Sequence, residues 1–168
     1  MPGYRVHTVL NLSAAGVFAH TAVAKFEMQP ALVGFAAASF IFATLMLSPD
    51  LDLKHSSPTK NWWLLRWIWR PYQWLFKHRG LSHSLLFSTV TRVVYLALVS
   101  ATIFTLIAAG KGEAWGLDEA LAQSLSGLSI PTDEWSALVA IGAGIWLSDL
   151  CHIAVDRVTS ACKILIGG

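Results

Sequence analysis

Residues 31–47 read ALVGFAAASFIFATLML, seventeen positions without a single charge. At 1.5 Å per residue such a helix is about 25 Å long, close to the lower limit for crossing a bilayer. Two further blocks share this character. Residues 84–109 are apolar apart from Arg92, and residues 135–153 are apolar until Asp149 and His152. A fourth block, 10–26, is weaker because Ser13, Gly16, His20 and Thr21 interrupt it. It reads as a short span or a buried helix. Only 13% of the 168 residues are charged and 55% are hydrophobic, whereas a soluble domain carries about 25% charged residues. Mean hydropathy is +0.55. These values exclude a disordered chain and point away from an ordinary soluble domain. The expectation is an all-α integral membrane bundle forming one domain over residues 1–168. Its spans lie near 10–26, 31–47, 84–109 and 135–157.

Lysine and arginine set the direction of insertion. The loop 48–83 carries Lys54, Lys60, Arg66, Arg70, Lys77 and Arg79. Placing that loop in the cytoplasm brings both termini inside as well, with Arg5, Arg157 and Lys163. Nine of the twelve basic residues then lie inside, and only Lys25 and Lys111 lie outside. The expected location is the plasma (inner) membrane, with no cleavable signal peptide. Cys151 and Cys162 read as small apolar residues in a reducing compartment, not as a disulfide.

The stretch 61–76, NWWLLRWIWRPYQWLF, holds five of the eight tryptophans with Arg66 and Arg70 interleaved. Pro71 keeps it from forming one continuous helix. Trp and Arg together favour the headgroup layer, so the segment reads as an amphipathic interfacial anchor. Its functional alternative is a lip that admits a lipid-like molecule or holds its phosphate through Arg66 or Arg70. Nucleic acid is not an expected partner.

The acids and histidines are unevenly placed under this topology. Asp50, Asp52, Asp149 and Asp156 all fall at cytoplasmic helix ends, as do His7, His55, His78, His83 and His152. Carboxylates so close to hydrocarbon are costly unless paired or bound. Asp50 and Asp52 in SPDLD would share one side of an extended segment. His78 and His83 in HRGLSH could converge if Gly80 bends the chain and Ser82 caps a helix. His152 and Asp156 are one helical turn apart. Nitrogen and oxygen donors without thiolate suit Zn first, with Mn, Ni or Fe as alternatives. The number of candidate donors exceeds one four-coordinate site, which allows one or two ions.

The pieces GYRVH at 3–7, SPDLDL at 48–53, NWWLLRWIWRPYQ at 61–73, HRGLSHS at 78–84 and HIAVD at 152–156 together resemble the YdjM-type membrane-bound metal-dependent hydrolases. They resemble still more a sister family of uncharacterised metal-binding membrane proteins. The resemblance implies His7, Asp50, Asp52, His78, His83, His152 and Asp156 as the metal set. The family pattern places a His directly after PDLD and one apolar residue. Here Lys54 intervenes before His55, which leaves His55 outside the set, and Asp149 is a residue the pattern does not contain.

The leading expectation is a membrane metal-dependent hydrolase acting on a phosphoester or ester of a lipid-linked substrate. Asp156 or Asp50 would serve as base, and Arg79 would stabilise anionic charge. The alternative is a non-catalytic metal-binding membrane protein in which the metal is structural and the protein recruits a partner. A homo-oligomer is compatible with both.

Overall fold

The computed structural model describes residues 4–76, 87–110 and 132–166. Among them every regular element is helical. Helix α1 runs Tyr4–Ala24 and α2 runs Pro30–Met46. A 3₁₀ turn over Pro49–Asp52 follows, then the short α3, Ser57–Asn61. A second 3₁₀ segment, Trp63–Ile68, leads into α4, Trp69–Leu75. The long helices α5, Phe87–Gly110, and α6, Thr132–Ile166, complete the described residues. Among the described residues, four stretches are long and apolar enough to cross a membrane: Tyr4–Ala24, Pro30–Asp52, Phe87–Gly110 and Glu134–Cys162.

The 31–47 and 84–109 blocks match α2 and α5 to within a few residues. The first helix instead begins at Tyr4, six residues ahead of the expected 10–26 block. Its start is set by which face is buried, not by where apolar density rises. The buried face carries His7, Asn11, Ala15 and Ala22, while Val6, Val9, Leu10, Val17 and Phe18 point outward. Small and polar residues inside with branched apolar residues outside is the reverse of a water-soluble bundle. The last helix likewise runs past the expected end at 157, to Ile166.

The most extensive helix pairing is α2 on α6, with α1 lying against both. Gly144 explains how close α2 and α6 come. A Cβ there would sit 2.1 Å from the Ala36 carbonyl oxygen and 2.1 Å from Ser39 Oγ. Four residues on, Ser148 Oγ meets Thr44 Oγ1 at 2.9 Å, and the Ser148 carbonyl accepts from Asn11 Nδ2 at 3.5 Å. The seam is therefore both tight and polar.

The segment after α2 folds back to close that helix's C-terminal end. A helix leaves its last carbonyls without intrahelical donors. Here Asn61 Nδ2 donates to the Leu45 carbonyl at 2.8 Å and Trp62 Nε1 to the Met46 carbonyl at 2.7 Å. Gln73 Nε2 donates to the Leu51 carbonyl at 2.8 Å. Pro71 falls in the first turn of α4, where its missing N–H costs nothing. The Trp-rich stretch is thus only partly an exposed surface. Trp69 and Tyr72 are fully buried with Ala43, Leu47 and Leu51, while Trp63 and Trp74 are 77% and 84% exposed.

The close approach at Gly144 is testable. Gly144→Ala forces backbone apart and costs about 1–3 kcal/mol, so the thermal midpoint in detergent should fall by about 3 °C or more. Gly142→Ala, where a Cβ meets nothing within 4 Å, should leave the midpoint unchanged or raised.

Candidate metal centre

Three elements bring donors to one end of the bundle. The first turn of α1 supplies His7, the 3₁₀ turn after α2 supplies Asp50, and α6 supplies His152 and Asp156. His7 and His152 are buried, at 6% and 5% exposure, and their rings stack with centroids 4.5 Å apart. Asp156 reaches both imidazoles. Its Oδ1 lies 3.2 Å from His7 Nε2 and its Oδ2 lies 3.6 Å from His152 Nε2. Asp50 Oδ2 approaches the same His152 Nε2 at 3.7 Å.

These separations carry chemical information. Contacts of 3.6 and 3.7 Å are too long for hydrogen bonds. They are close to the donor–donor edge of about 3.3–3.4 Å that follows from metal–ligand bonds of 2.0–2.1 Å in a tetrahedron. Two stacked imidazoles that both carried a proton charge would repel each other. A carboxylate oxygen facing a ring nitrogen needs a proton or a cation between them. His7 Nδ1 is buried and has no hydrogen-bond partner among the described residues, an omission that costs about 1–3 kcal/mol unless something else meets it. Two imidazoles and two carboxylates are a donor set suited to a borderline divalent cation. Among the described residues, no group of three or more His, Cys, Asp or Glu is arranged to hold a metal ion.

The other residues singled out in the sequence fall into separate groups. The Pro49–Asp52 segment is a 3₁₀ turn, not extended chain, so residues two apart differ by about 240° around its axis. Asp50 faces His152, and Asp52 is buried at 6% exposure. Pro49, at the first position of the turn, favours this conformation. His78, Arg79 and His83 lie outside the described residues. His55 is exposed and borders a basic pocket together with Lys54.

Asp149 forms a buried ion pair with Arg92 of α5, each side chain 1% exposed. The same Oδ2 accepts from Thr89 Oγ1. Arg92 is held in turn by the Ser88 carbonyl and Ser88 Oγ, both at 2.9 Å. Sequence reading passed over this pair. The signal was available: Arg92 is the lone charge of α5, Asp149 is the first charge in α6 after an apolar run from residue 135, and such residues need a partner. Tyr72 lies near both polar groups and hydrogen bonds Thr91 at 3.2 Å. Burial pushes its phenol above the ordinary range. The Thr91 hydrogen bond and the Arg92 charge oppose that rise, and the Asp52 and Asp149 carboxylates add to it.

The arrangement defines a class: an all-helical bundle with membrane-length helices and a histidine–aspartate cluster at one end. Residues 2–166 match the model of the family described as "Uncharacterized metal-binding protein (DUF2227)", and the chain belongs to that family. That description names metal binding and no hydrolysis. An uncharacterized protein of Aquifex aeolicus (strain VF5) is 40% identical over 58 residues, covering 34% of this chain and 40% of that protein. The chain thus matches less than half the length of that relative. No solved structure gives a significant match.

The buried pair predicts an asymmetry. Arg92→Met strands a carboxylate and should cost about 3–5 kcal/mol. Arg92→Met combined with Asp149→Leu removes both charges and should recover most of that loss. Thermal midpoints of the two single variants and the double variant in detergent measure the coupling directly.

Proposed function

We propose that this is an integral membrane protein that binds one or two divalent metal ions through His7, Asp50, His152 and Asp156. Asp52, His78 and His83 complete the candidate donor set. The observation that carries the reading is the Asp156 carboxylate, which reaches one imidazole with each oxygen, at 3.2 and 3.6 Å. The family's metal-binding description supports it. Zn is the first choice of metal, on the chemistry of imidazole and carboxylate donors.

Membrane insertion is supported by the four membrane-length helices and by the apolar residues on their outer faces. The excess of Lys and Arg in 48–83 and near both ends argues that this loop, the termini and the donor cluster are cytoplasmic. A reporter fused after Gly168 should then fluoresce as a cytoplasmic fluorescent protein and show no activity as a periplasmic alkaline phosphatase. The reverse pattern would invert the topology.

The reaction we infer is hydrolysis of a phosphoester or ester of a lipid-like substrate. A divalent ion held here would supply Lewis acidity and lower the pKa of a nearby water. Within the chain, Asp156 lies against both imidazoles and is 13% exposed at its side chain, which suits a ligand. The Asp50 side chain is 30% exposed, so its Oδ2 is within reach of solvent and substrate. Asp50 is therefore the better-placed base of the two carboxylates. Arg79 remains the proposed anion-stabilising residue.

A second reading is favoured by the burial of His7 and His152, which is what a closed structural centre tying α1, α2 and α6 together would require. The two readings separate in one experiment. Metal content of the detergent-purified protein is measured for the unaltered chain and for His7→Ala and Asp156→Ala, alongside turnover of phosphodiester and lipid-ester substrates. Both variants should lose at least half the bound metal, and unchanged content would overturn the centre. Asp50→Asn with metal retained and turnover lost supports the hydrolase. Full metal content with no turnover in the unaltered chain, and a thermal midpoint that collapses in chelator, supports the structural role.

A further inference from the structure

A second polar site is lined by the chain that follows the 3₁₀ turn. A cavity of about 300 Å³ opens between the chain following that turn and the Trp-rich segment. This volume is at the small end of the range for small-molecule sites, about 300–1,000 Å³. Its lining includes Lys54, His55, Arg66 and Arg70, and among the described residues it contains no carboxylate. All four of these side chains belong to exposed residues, and none pairs with an acid among the described residues.

The two guanidinium groups are positioned, not free. Arg70 stands 3.9 Å from the centroid of the Trp67 ring and Arg66 stands 5.8 Å from it. An aromatic face attracts a guanidinium without neutralising it. Trp67 therefore gathers two positive charges on one wall of the cavity and leaves their N–H donors available. Lys54 and His55 complete its basic lining. The floor is fixed by Gln73, whose Nε2 donates to the Leu51 carbonyl at 2.8 Å and contacts Thr59 Oγ1 at 3.4 Å. Leu51 lies between Asp50 and Asp52, so one hydrogen bond joins this floor to the acidic turn.

Three cationic groups, Lys54, Arg66 and Arg70, drawn together without a counter-charge repel one another. An anion that accepts several hydrogen bonds at once relieves that repulsion. Guanidinium forks match phosphate oxygens in pairs, and a dianion uses such a cluster better than a singly charged diester does. The apolar rim points to where the anion comes from. Trp63, Leu64, Leu65, Trp74 and Leu75 of the same segment are all more than half exposed, a pattern suited to the headgroup layer.

We propose that this cavity is a binding site for a terminal phosphate or diphosphate group, held by Arg66, Arg70 and Lys54. The site shares no residue with the proposed metal set, so it stands or falls independently of the hydrolase reading. The ligand chemistry is common to an anionic lipid headgroup and to free phosphate, and the two sources require separate measurements.

The full-length protein is titrated with inorganic pyrophosphate in detergent, and captured on nanodiscs of phosphatidylcholine with and without phosphatidic acid. The unaltered chain should bind at least one of these probes. Arg66→Gln with Arg70→Gln should weaken that binding about tenfold or more, the loss expected for a charge-assisted contact. Lys54→Gln, which leaves the Trp67 stack intact, should weaken it in the same direction and guards against a folding defect in the double variant. Lys60→Gln, outside the cavity lining, should change it little. Binding to both probes identifies the phosphate group as sufficient. Preference for phosphatidic acid alone assigns the lipid, and binding of pyrophosphate alone assigns the soluble anion. Three results overturn the site: neither probe binds, the cavity variants bind as the unaltered chain does, or Lys60→Gln costs as much as Lys54→Gln. Metal content unchanged in the cavity variants separates this outcome from failure of the metal centre.

Discussion

The contact of Gly144 with Ala36 and Ser39 sets the distance at which α2 and α6 run side by side, and the donor cluster depends on that distance. From Gly144 the same face of α6 presents Ser148, His152 and Asp156, each four residues on. Successive members drift by only about 40° around the helix. The first accepts the backbone of α2, the second hydrogen bonds Thr44, and the last two meet Asp50 and His7. Helix α1 supplies a matching face with His7, Asn11 and Ala15, running in the opposite direction. Small residues at depth and polar residues toward one end form one continuous stripe. Packing and chemistry are two portions of the same helical register.

Polar closure of α2 is the second dependency. The chain leaves α2 through a 3₁₀ turn and returns across the helix end, so that Asn61, Trp62 and Gln73 satisfy carbonyls at Leu45, Met46 and Leu51. This wrap holds the turn bearing Asp50 from its outer side while α6 holds it from the inner side. Buried Trp69 and Tyr72 fill the space beneath. The acidic turn is short and carries no long-range apolar side chain except Leu51. Its position is therefore imposed by its neighbours rather than by its own stability.

Much of this was legible in the sequence. Uninterrupted apolar length located α2 and α5 closely, because nothing else tolerates such a run. Helix α1 was misjudged at its start. Its informative residues are the polar and small ones facing inward, and hydropathy averages treat these as weakness. The i,i+4 spacing of His152 and Asp156 was read correctly as one face, since helical geometry is local. The relation of Asp50 to Asp52 was not, because an extended segment and a 3₁₀ turn cannot be told apart in five residues containing a proline. Composition also could not divide the tryptophans into buried Trp69 and exposed Trp63 and Trp74. That division depends on how a short helix is rotated against α2. Arg92 and Asp149 each call for a partner on sequence grounds, but that they choose one another across 57 residues is visible only in three dimensions.

If α5 and α6 span a bilayer, as proposed, that pair also constrains how the protein is made. A charged residue within a spanning helix carries an insertion penalty, which reaches about 2.5–3.5 kcal/mol at the helix centre. Helix α5 carries Arg92 in its second turn and α6 carries Asp149, and α5 is synthesised first. The guanidinium would then wait for a carboxylate still being translated, coupling the lateral release of α5 to the arrival of α6. A chain truncated before Asp149 would hold Arg92 without the carboxylate it pairs with here.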